Sequence, residues 1–363
     1  MPSERDALIE AFLAAAGLAD AVRRPLPGDA STRRYERLHP ASGPPLILMD
    51  QAPNLETQPC PPLADAAERR SLGFNAVYRL AAGRIDAFVA CAAFLRSLGL
   101  SAPAVQARDT TAGLAVLEDL GDDLYARLIE AGAAEGPLYE GAIDALVLLH
   151  VAPPPPILEG DGSRWPLLDY DDLALAAAGG LFIEWAPRLL SRLSIDHEAA
   201  GRWEEIWAPV RARAAAGASV FCHRDYHAEN LIWLPGRAGP ARVGMIDFQD
   251  ALRAHPAWDL SMLLHDARRE VSAALEKASL ERYLDERGLA DREAFLADYH
   301  ALGALNVARI IGIFSRLVVR DGKPRYRALM PRLWTYLDRC LAGPAPPGLA
   351  GWFARHAPPG ARA

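Results

Sequence analysis

Lysine is almost missing from this chain. Of its 39 basic residues only Lys277 and Lys323 are lysines, so any cationic role in the first 276 positions falls to arginine. Cysteine is equally sparse. Cys60, Cys91, Cys222 and Cys340 lie far apart and form no CxxC or metal-ligand spacing, which reads as four reduced thiols and not as a disulfide framework or thiolate metal centre. The N-terminus, Met1-Pro2-Ser3-Glu4-Arg5-Asp6, has no basic leader, and no uninterrupted apolar run reaches the ~18 residues that span a bilayer. A cytoplasmic chain with no membrane partner is expected. A positive excess is also lacking: the formal charge of −7 and the pI near 5.8 argue against a nucleic-acid partner. There is no internal repeat and no heptad series.

What is present is a chain long enough for two cores, with 363 residues of which 51% are hydrophobic. Its most informative stretch is His-Arg-Asp-Tyr-His-Ala-Glu-Asn at residues 223–230, followed by Ile246-Asp247-Phe248-Gln249-Asp250. An acid five residues before an amide, then a hairpin's length, then an acid followed by an aromatic, is the arrangement of a base and two magnesium ligands in phosphoryl transfer. Asp225 is the expected base, accepting a proton from a substrate hydroxyl. Asn230 and Asp247 are hard oxygen donors suited to Mg²⁺. Residues 231–234 and 241–246 read as strands around the turn-rich residues 235–240, so a hairpin is expected to bring Asn230 and Asp247 together at its outer ends.

The remainder divides into a strand-rich first third and a helical remainder. A helix is expected over residues 4–16, capped by Ser3 with Asp6 as the reciprocal partner. Strand-like stretches at 22–26, 34–38 and 46–49 surround Gly28-Asp29-Ala30-Ser31-Thr32, a turn able to offer backbone N–H groups and two hydroxyls to phosphate. Helical spacing covers 63–80 and 85–98, and a second hairpin is expected from 105–107 and 113–117. It runs into Glu118-Asp119-Leu120-Gly121-Asp122-Asp123, a natural hinge where the Glu118 carbonyl and Leu120 N–H are candidates for bonding an adenine. The same corner also reads as an ordinary strand-to-helix connection. Further helices are expected at 138–150, 196–216, 272–286, 291–318 and 328–341, with residues 165–171 as a loop of large side chains. The Pro- and Gly-rich end forms a tail.

The motifs HRDYHAENLIWLP, IDFQDA, LEDLGDDLY, WDLSMLLHDARR and RDGKPRYRALMPR resemble the aminoglycoside phosphotransferase and choline-kinase-like superfamily, and within it most closely the bacterial amino-sugar kinases of peptidoglycan recycling. The resemblance implies an α+β, bilobal protein-kinase-like fold: an N-lobe with an antiparallel sheet and helices over residues 1–119, a larger and mainly helical C-lobe over 120–345, and the tail over 346–363. It implies ATP and Mg²⁺ as cofactors and phosphorylation of the anomeric hydroxyl of N-acetylmuramate or N-acetylglucosamine, a small-molecule amino-sugar substrate. Asp225 then acts as base, and Asn230 and Asp247 hold Mg²⁺. Tyr226, His227 and Glu229 are candidates for sugar contacts. Asp259 either braces the loop or lies near substrate.

One departure stands out. Superfamily members grip the nucleotide phosphates with a lysine on the third strand, and here that strand is Leu46-Ile47-Leu48-Met49. Either an arginine substitutes, with Arg33 or Arg34 beside Ser31 and Thr32 as first choices, or nucleotide binds weakly. From Arg309 to Cys340, eight basic residues against two acids form either a solvated face or one that favours a neutral or anionic acceptor over a polycation. The same chemistry on another small alcohol, and a catalytically silent binding module, are the competing readings.

Overall fold

The computed structural model describes residues 3–27, 33–52, 58–344, 346 and 348–362. They form two compact units, each assembled from separate chain segments. The first contains Met1–Ala134, Pro155–Leu167 and Glu229–Ala251, and the second Glu135–Pro154, Leu168–Ala228 and Leu252–Ala363.

The first unit is built on an antiparallel five-stranded sheet of β1 (Val22–Pro25), β2 (Arg34–His39), β3 (Leu46–Asp50), β4 (Val105–Asp109) and β5 (Leu114–Glu118), in the order β1-β2-β3-β5-β4. Register is well specified, with Arg34 opposite Asp50 and Leu46 opposite Glu118. The sheet core is made by Leu38, Leu46, Leu48, Leu114 and Val116, onto which Ile9 and Leu13 of the helix Glu4–Ala15 pack. That helix starts where expected: Ser3 Oγ accepts from the Asp6 N–H at 3.2 Å while Asp6 accepts from the Ser3 N–H at 3.0 Å, satisfying two otherwise orphaned donors.

Residues 165–171 are only partly the expected loop. Ile157–Gly160 and Ser163–Pro166 form a hairpin belonging to the first unit, turning at Asp161 and Gly162, which have φ of +48° and +68°. An Asp-Gly pair adopts this left-handed turn cheaply. The hairpin packs on the helix Ile85–Ser97 so closely that a Cβ on Gly160 meets Ala93 Cβ at 2.3 Å. A second hairpin, Leu231–Trp233 with Val243–Met245, is the one expected from sequence.

The second unit is helical. At its centre lies Arg292–Val319, long and apolar enough by composition to cross a membrane, but 67% of its most apolar window is buried inside the protein. It is a core helix. Its Gly312 meets the backbone of the helix Asp172–Leu189, where a Cβ lies 2.3 Å from the Leu181 carbonyl carbon. An aromatic cluster fills the rest: Phe182 stacks on Trp203 at 5.2 Å, and Trp203 meets Trp352 at 4.8 Å. The chain end therefore departs from the expected tail. Leu349–His356 is a helix because Leu349, Trp352 and Phe353 bury apolar surface on this cluster.

Gly312→Ala is expected to lower unfolding free energy by about 1–3 kcal/mol through overpacking. Gly180→Ala in the facing helix, whose Cβ meets nothing within 4 Å, is expected to raise it by about 0.5–1 kcal/mol. Urea denaturation of both variants checks the pair.

Candidate active site

In the second unit, Val220–Cys222 pairs antiparallel with Leu252–Ala254, Cys222 opposite Leu252. The chain leaves this short ladder into His223 and Arg224. Arg224 adopts φ +78°, a left-handed conformation uncommon for a residue with a side chain. The Asp259 carboxylate holds it there. One oxygen accepts from the His223 N–H at 2.7 Å, and the other from the Arg224 N–H at 2.8 Å and the Cys222 thiol at 3.2 Å. Asp259 comes from the first turn of the helix Ala257–Leu264, whose dipole favours an anion. Burial would raise its pKa, but the adjoining His150, His223 and Cys222 overcome this and lower it. The Trp258 indole donates to the Arg224 carbonyl at 3.3 Å, completing the clamp.

Asp225, next in the chain, is half-buried, and its carbonyl accepts from the His227 N–H at 3.1 Å. The loop around it sorts by exposure. Asp225, Glu229 and Asn230 remain partly exposed, whereas His223, Arg224, Tyr226, His227 and Ala228 are buried.

One expected sugar contact is corrected by this, and the two readings of Asp259 separate. Tyr226 is fully buried and its hydroxyl donates to the Ala142 carbonyl at 2.8 Å, so it anchors the loop from beneath. Asp259 has no exposed surface and both oxygens are occupied by backbone donors, which favours the bracing reading over a place near substrate. His227 is only 8% exposed, and burial pushes its pKa down. His150, read from sequence as structural, is buried between Asp259, 3.6 Å away, and the Tyr283 hydroxyl, 2.8 Å away.

In the first unit the hairpin does bring the other two residues together. Met245 lies opposite Leu231, and the Ile246 N–H donates to the Asn230 carbonyl at 3.1 Å, so Asn230 and Asp247 flank the last rungs of the ladder. Asp247 has φ +65° and is 43% exposed. Phe248, beside it, is buried and stacks on Phe88 with centroids 4.9 Å apart. Asp250 accepts from the Ala81 N–H at 2.6 Å. An amide and a carboxylate oxygen so placed form a donor set that fits magnesium chemistry.

The two candidate arginines separate. Arg33 donates from Nη2 to Asp247 Oδ1 at 2.8 Å and from Nη1 to Gln249 Oε1 at 2.7 Å, while Gln249 Nε2 donates to the same Asp247 oxygen at 3.0 Å. Burial would lower its pKa, but Tyr35 and the Asp247 and Asp250 carboxylates raise it, keeping the guanidinium charged. Arg34 turns instead to Asp50, a buried carboxylate also held by Arg5. Ser31 and Thr32 lie outside the described residues.

At the expected hinge, Glu118 pairs with Arg237 and accepts from the Ala104 N–H at 3.2 Å. Leu120 is buried against Gly244 of the hairpin. Arg37 of β2 clamps the acidic corner, bonding Asp119 at 2.6 Å and Asp122 at 2.8 Å.

Residues 22–305 match the family described as the phosphotransferase enzyme family. The chain belongs to this family. A Caulobacter vibrioides protein named N-acetylmuramate/N-acetylglucosamine kinase is 64% identical over 358 residues, covering 99% of this chain and 98% of that protein. Among solved structures, a Plasmodium vivax ethanolamine kinase matches with a TM-score of 0.55 at 12% identity, covering 94% of this chain and 89% of that one. The streptomycin-ATP-APH(2")-IIa ternary complex matches with a TM-score of 0.52 at 15% identity, covering 90% of this chain and 93% of that one. These likenesses carry the α+β kinase-like fold.

Asp259→Asn is expected to cost about 1–3 kcal/mol of stability at pH 7, because an amide cannot accept from the same donors with both atoms. A lowered folded pKa contributes stability above the unfolded value of about 3.9, lost as pH falls through the folded value. The gap between wild type and variant therefore narrows on acidification, which denaturation at stepped pH checks.

Proposed function

We propose that this chain is an ATP- and Mg²⁺-dependent kinase that phosphorylates the anomeric hydroxyl of N-acetylmuramate and N-acetylglucosamine. The observation that carries the reading is the 64% identity, over nearly the whole of both chains, to a protein named for those two substrates. The partly exposed Asp225, Asn230 and Asp247 support it.

Asp225 takes the proton of the anomeric hydroxyl as that oxygen forms its bond to the γ-phosphorus and the bond to the β-phosphate bridging oxygen breaks, leaving ADP. An anomeric hydroxyl is more acidic than an ordinary alcohol, so positioning by the braced loop supplies much of the effect. Asn230 and Asp247 are the residues that would hold magnesium, which offsets phosphate charge when bound. Arg33 is our choice to serve the nucleotide in place of the family's lysine: it stays charged beside Asp247, and phosphate oxygens would take over bonds that its planar fork now makes to Asp247 and Gln249. A sugar 1-phosphate suits later transfer to a nucleotide, and the role we propose for it is a step of cytoplasmic peptidoglycan recycling.

A panel of N-acetylmuramate, N-acetylglucosamine, choline, a methylthio-sugar and an aminoglycoside, offered with ATP and Mg²⁺, tests the reading. Phosphorus NMR is expected to show a 1-phosphate on the two amino sugars; turnover of another acceptor alone sinks it. Asp225→Ala should lower kcat by about 10²–10⁴-fold. Equal absence of turnover in wild type and variant would favour a silent binding module. Arg33→Met should raise KM for ATP about tenfold, the value of a lost charge-assisted bond, with KM for sugar unchanged.

A further inference from the structure

Asp225 has a cationic neighbourhood within its own unit that the phosphoryl-transfer chemistry does not use. Arg309, on the central helix Arg292–Val319, lays its guanidinium over the Trp258 ring at 5.6 Å. The same indole donates to the carbonyl of Arg224, the residue that precedes Asp225. Tyr170 packs edge-on against the same indole, 4.6 Å from Trp258 by ring centroids, with Arg224 over its face at 5.3 Å. Tyr170, Trp258, Arg224 and Arg309 thus form one contiguous cluster on the element pair that carries the residue before Asp225.

Arg309 is held but not neutralised. Its Nε donates to the amide oxygen of the fully buried Asn306 at 3.1 Å, and Nη2 lies 3.6 Å from the Met262 sulfur. Among the described residues it has no carboxylate partner, and its Nη1 makes no hydrogen bond. Other cations of the Arg-rich stretch differ: Arg320 is paired with Asp321 at 2.6 Å and Arg339 with Glu276 at 2.5 Å. A half-buried guanidinium held by neutral groups keeps its full charge and a free edge for an incoming anion.

Resting on the proposed function, we infer that Arg309 is a specificity-determining residue that reads the lactyl carboxylate of N-acetylmuramate, the group that N-acetylglucosamine lacks. Asn306 and the Trp258 face fix the guanidinium plane, so one planar edge is preorganised for a carboxylate. Both sugars share the reacting hydroxyl, so the contact separates them through binding and leaves the proton transfer at Asp225 unaltered.

The experiment compares kcat/KM for N-acetylmuramate, its uncharged methyl ester and N-acetylglucosamine in wild type, Arg309→Met and Arg309→Lys. Arg309→Met is expected to lower the N-acetylmuramate to N-acetylglucosamine ratio about tenfold or more, chiefly through KM, since a hydrogen bond to a charged group is at stake. Wild type should prefer the acid over its ester by a similar factor, Arg309→Met should lose that preference, and Arg309→Lys should restore part of it. An unchanged ratio in Arg309→Met, or a wild type indifferent to esterification, overturns the inference while leaving the kinase reading intact. The wild-type ester comparison does so even if Arg309→Met fails to fold. Absence of turnover of either sugar by wild type overturns the function reading and this inference with it.

Discussion

The Asp259 carboxylate is the interaction on which the catalytic loop depends. Consecutive backbone N–H groups, those of His223 and Arg224, both point at one side chain only because Arg224 sits in the left-handed region. A non-glycine residue there costs of order 1–3 kcal/mol. A buried anion receiving two amide bonds recovers that cost where a neutral acceptor would not, since bonds to a charged group are about twice as strong. The backbone turn that precedes Asp225 is therefore held by a fully buried charge. Burying such a charge is tolerable because the helix N-terminus and the His150 and His223 rings surround it.

The metal-ligand candidates rely on a different device. Asn230 and Asp247 are placed by main-chain pairing, so their separation follows from hairpin register and not from side-chain packing. Phe248 anchors the outgoing strand on Phe88, leaving Asp247 half-exposed in a left-handed conformation. Arg33 and Gln249 then orient its carboxylate from one side. The candidate base and metal ligands thus each lie at or next to a left-handed or hairpin-end backbone position and not within a regular element.

Much of this was legible in the sequence because the signals were local. The hairpin between Asn230 and Asp247 follows from turn residues between two apolar runs, and the start of Glu4–Ala15 follows from Ser3 and Asp6. Tyr226 reads from sequence as a sugar contact, and Asp259 as either brace or substrate neighbour, because burial is a tertiary property: nothing in residues 223–230 states that the Tyr226 hydroxyl will meet the Ala142 carbonyl. The hairpin at 157–166 is absent from the sequence reading, although its Asp161-Gly162 turn is a local signal for it. The terminal helix was obscured by flanking proline and glycine, although Trp352 and Phe353 side by side are an apolar load that a solvated tail would not carry. The choice between Arg33 and Arg34 could not be made from spacing, since adjacent residues at a strand's start point different ways and the sequence does not say which one meets Asp247.

The near absence of lysine is where composition becomes structure. A lysine is a point charge with rotating donors, whereas arginine offers a fixed planar fork and a face that stacks. Arg33 uses its fork to join Asp247 and Gln249 at once, and Arg37 joins Asp119 and Asp122. Arg69, only 2% exposed, bonds the carbonyls of Ala76 and Val77 in the interior. Arg309 uses its face on Trp258 and keeps an edge in reserve. An ammonium at each of these positions would satisfy one partner and leave the other exposed to the cost of an unpaired buried polar group. The arginine we propose for the role of the phosphate-gripping lysine would therefore be part of a chain-wide chemistry in which one cation fixes two acceptors. That property suits a phosphate site as well as a structural one.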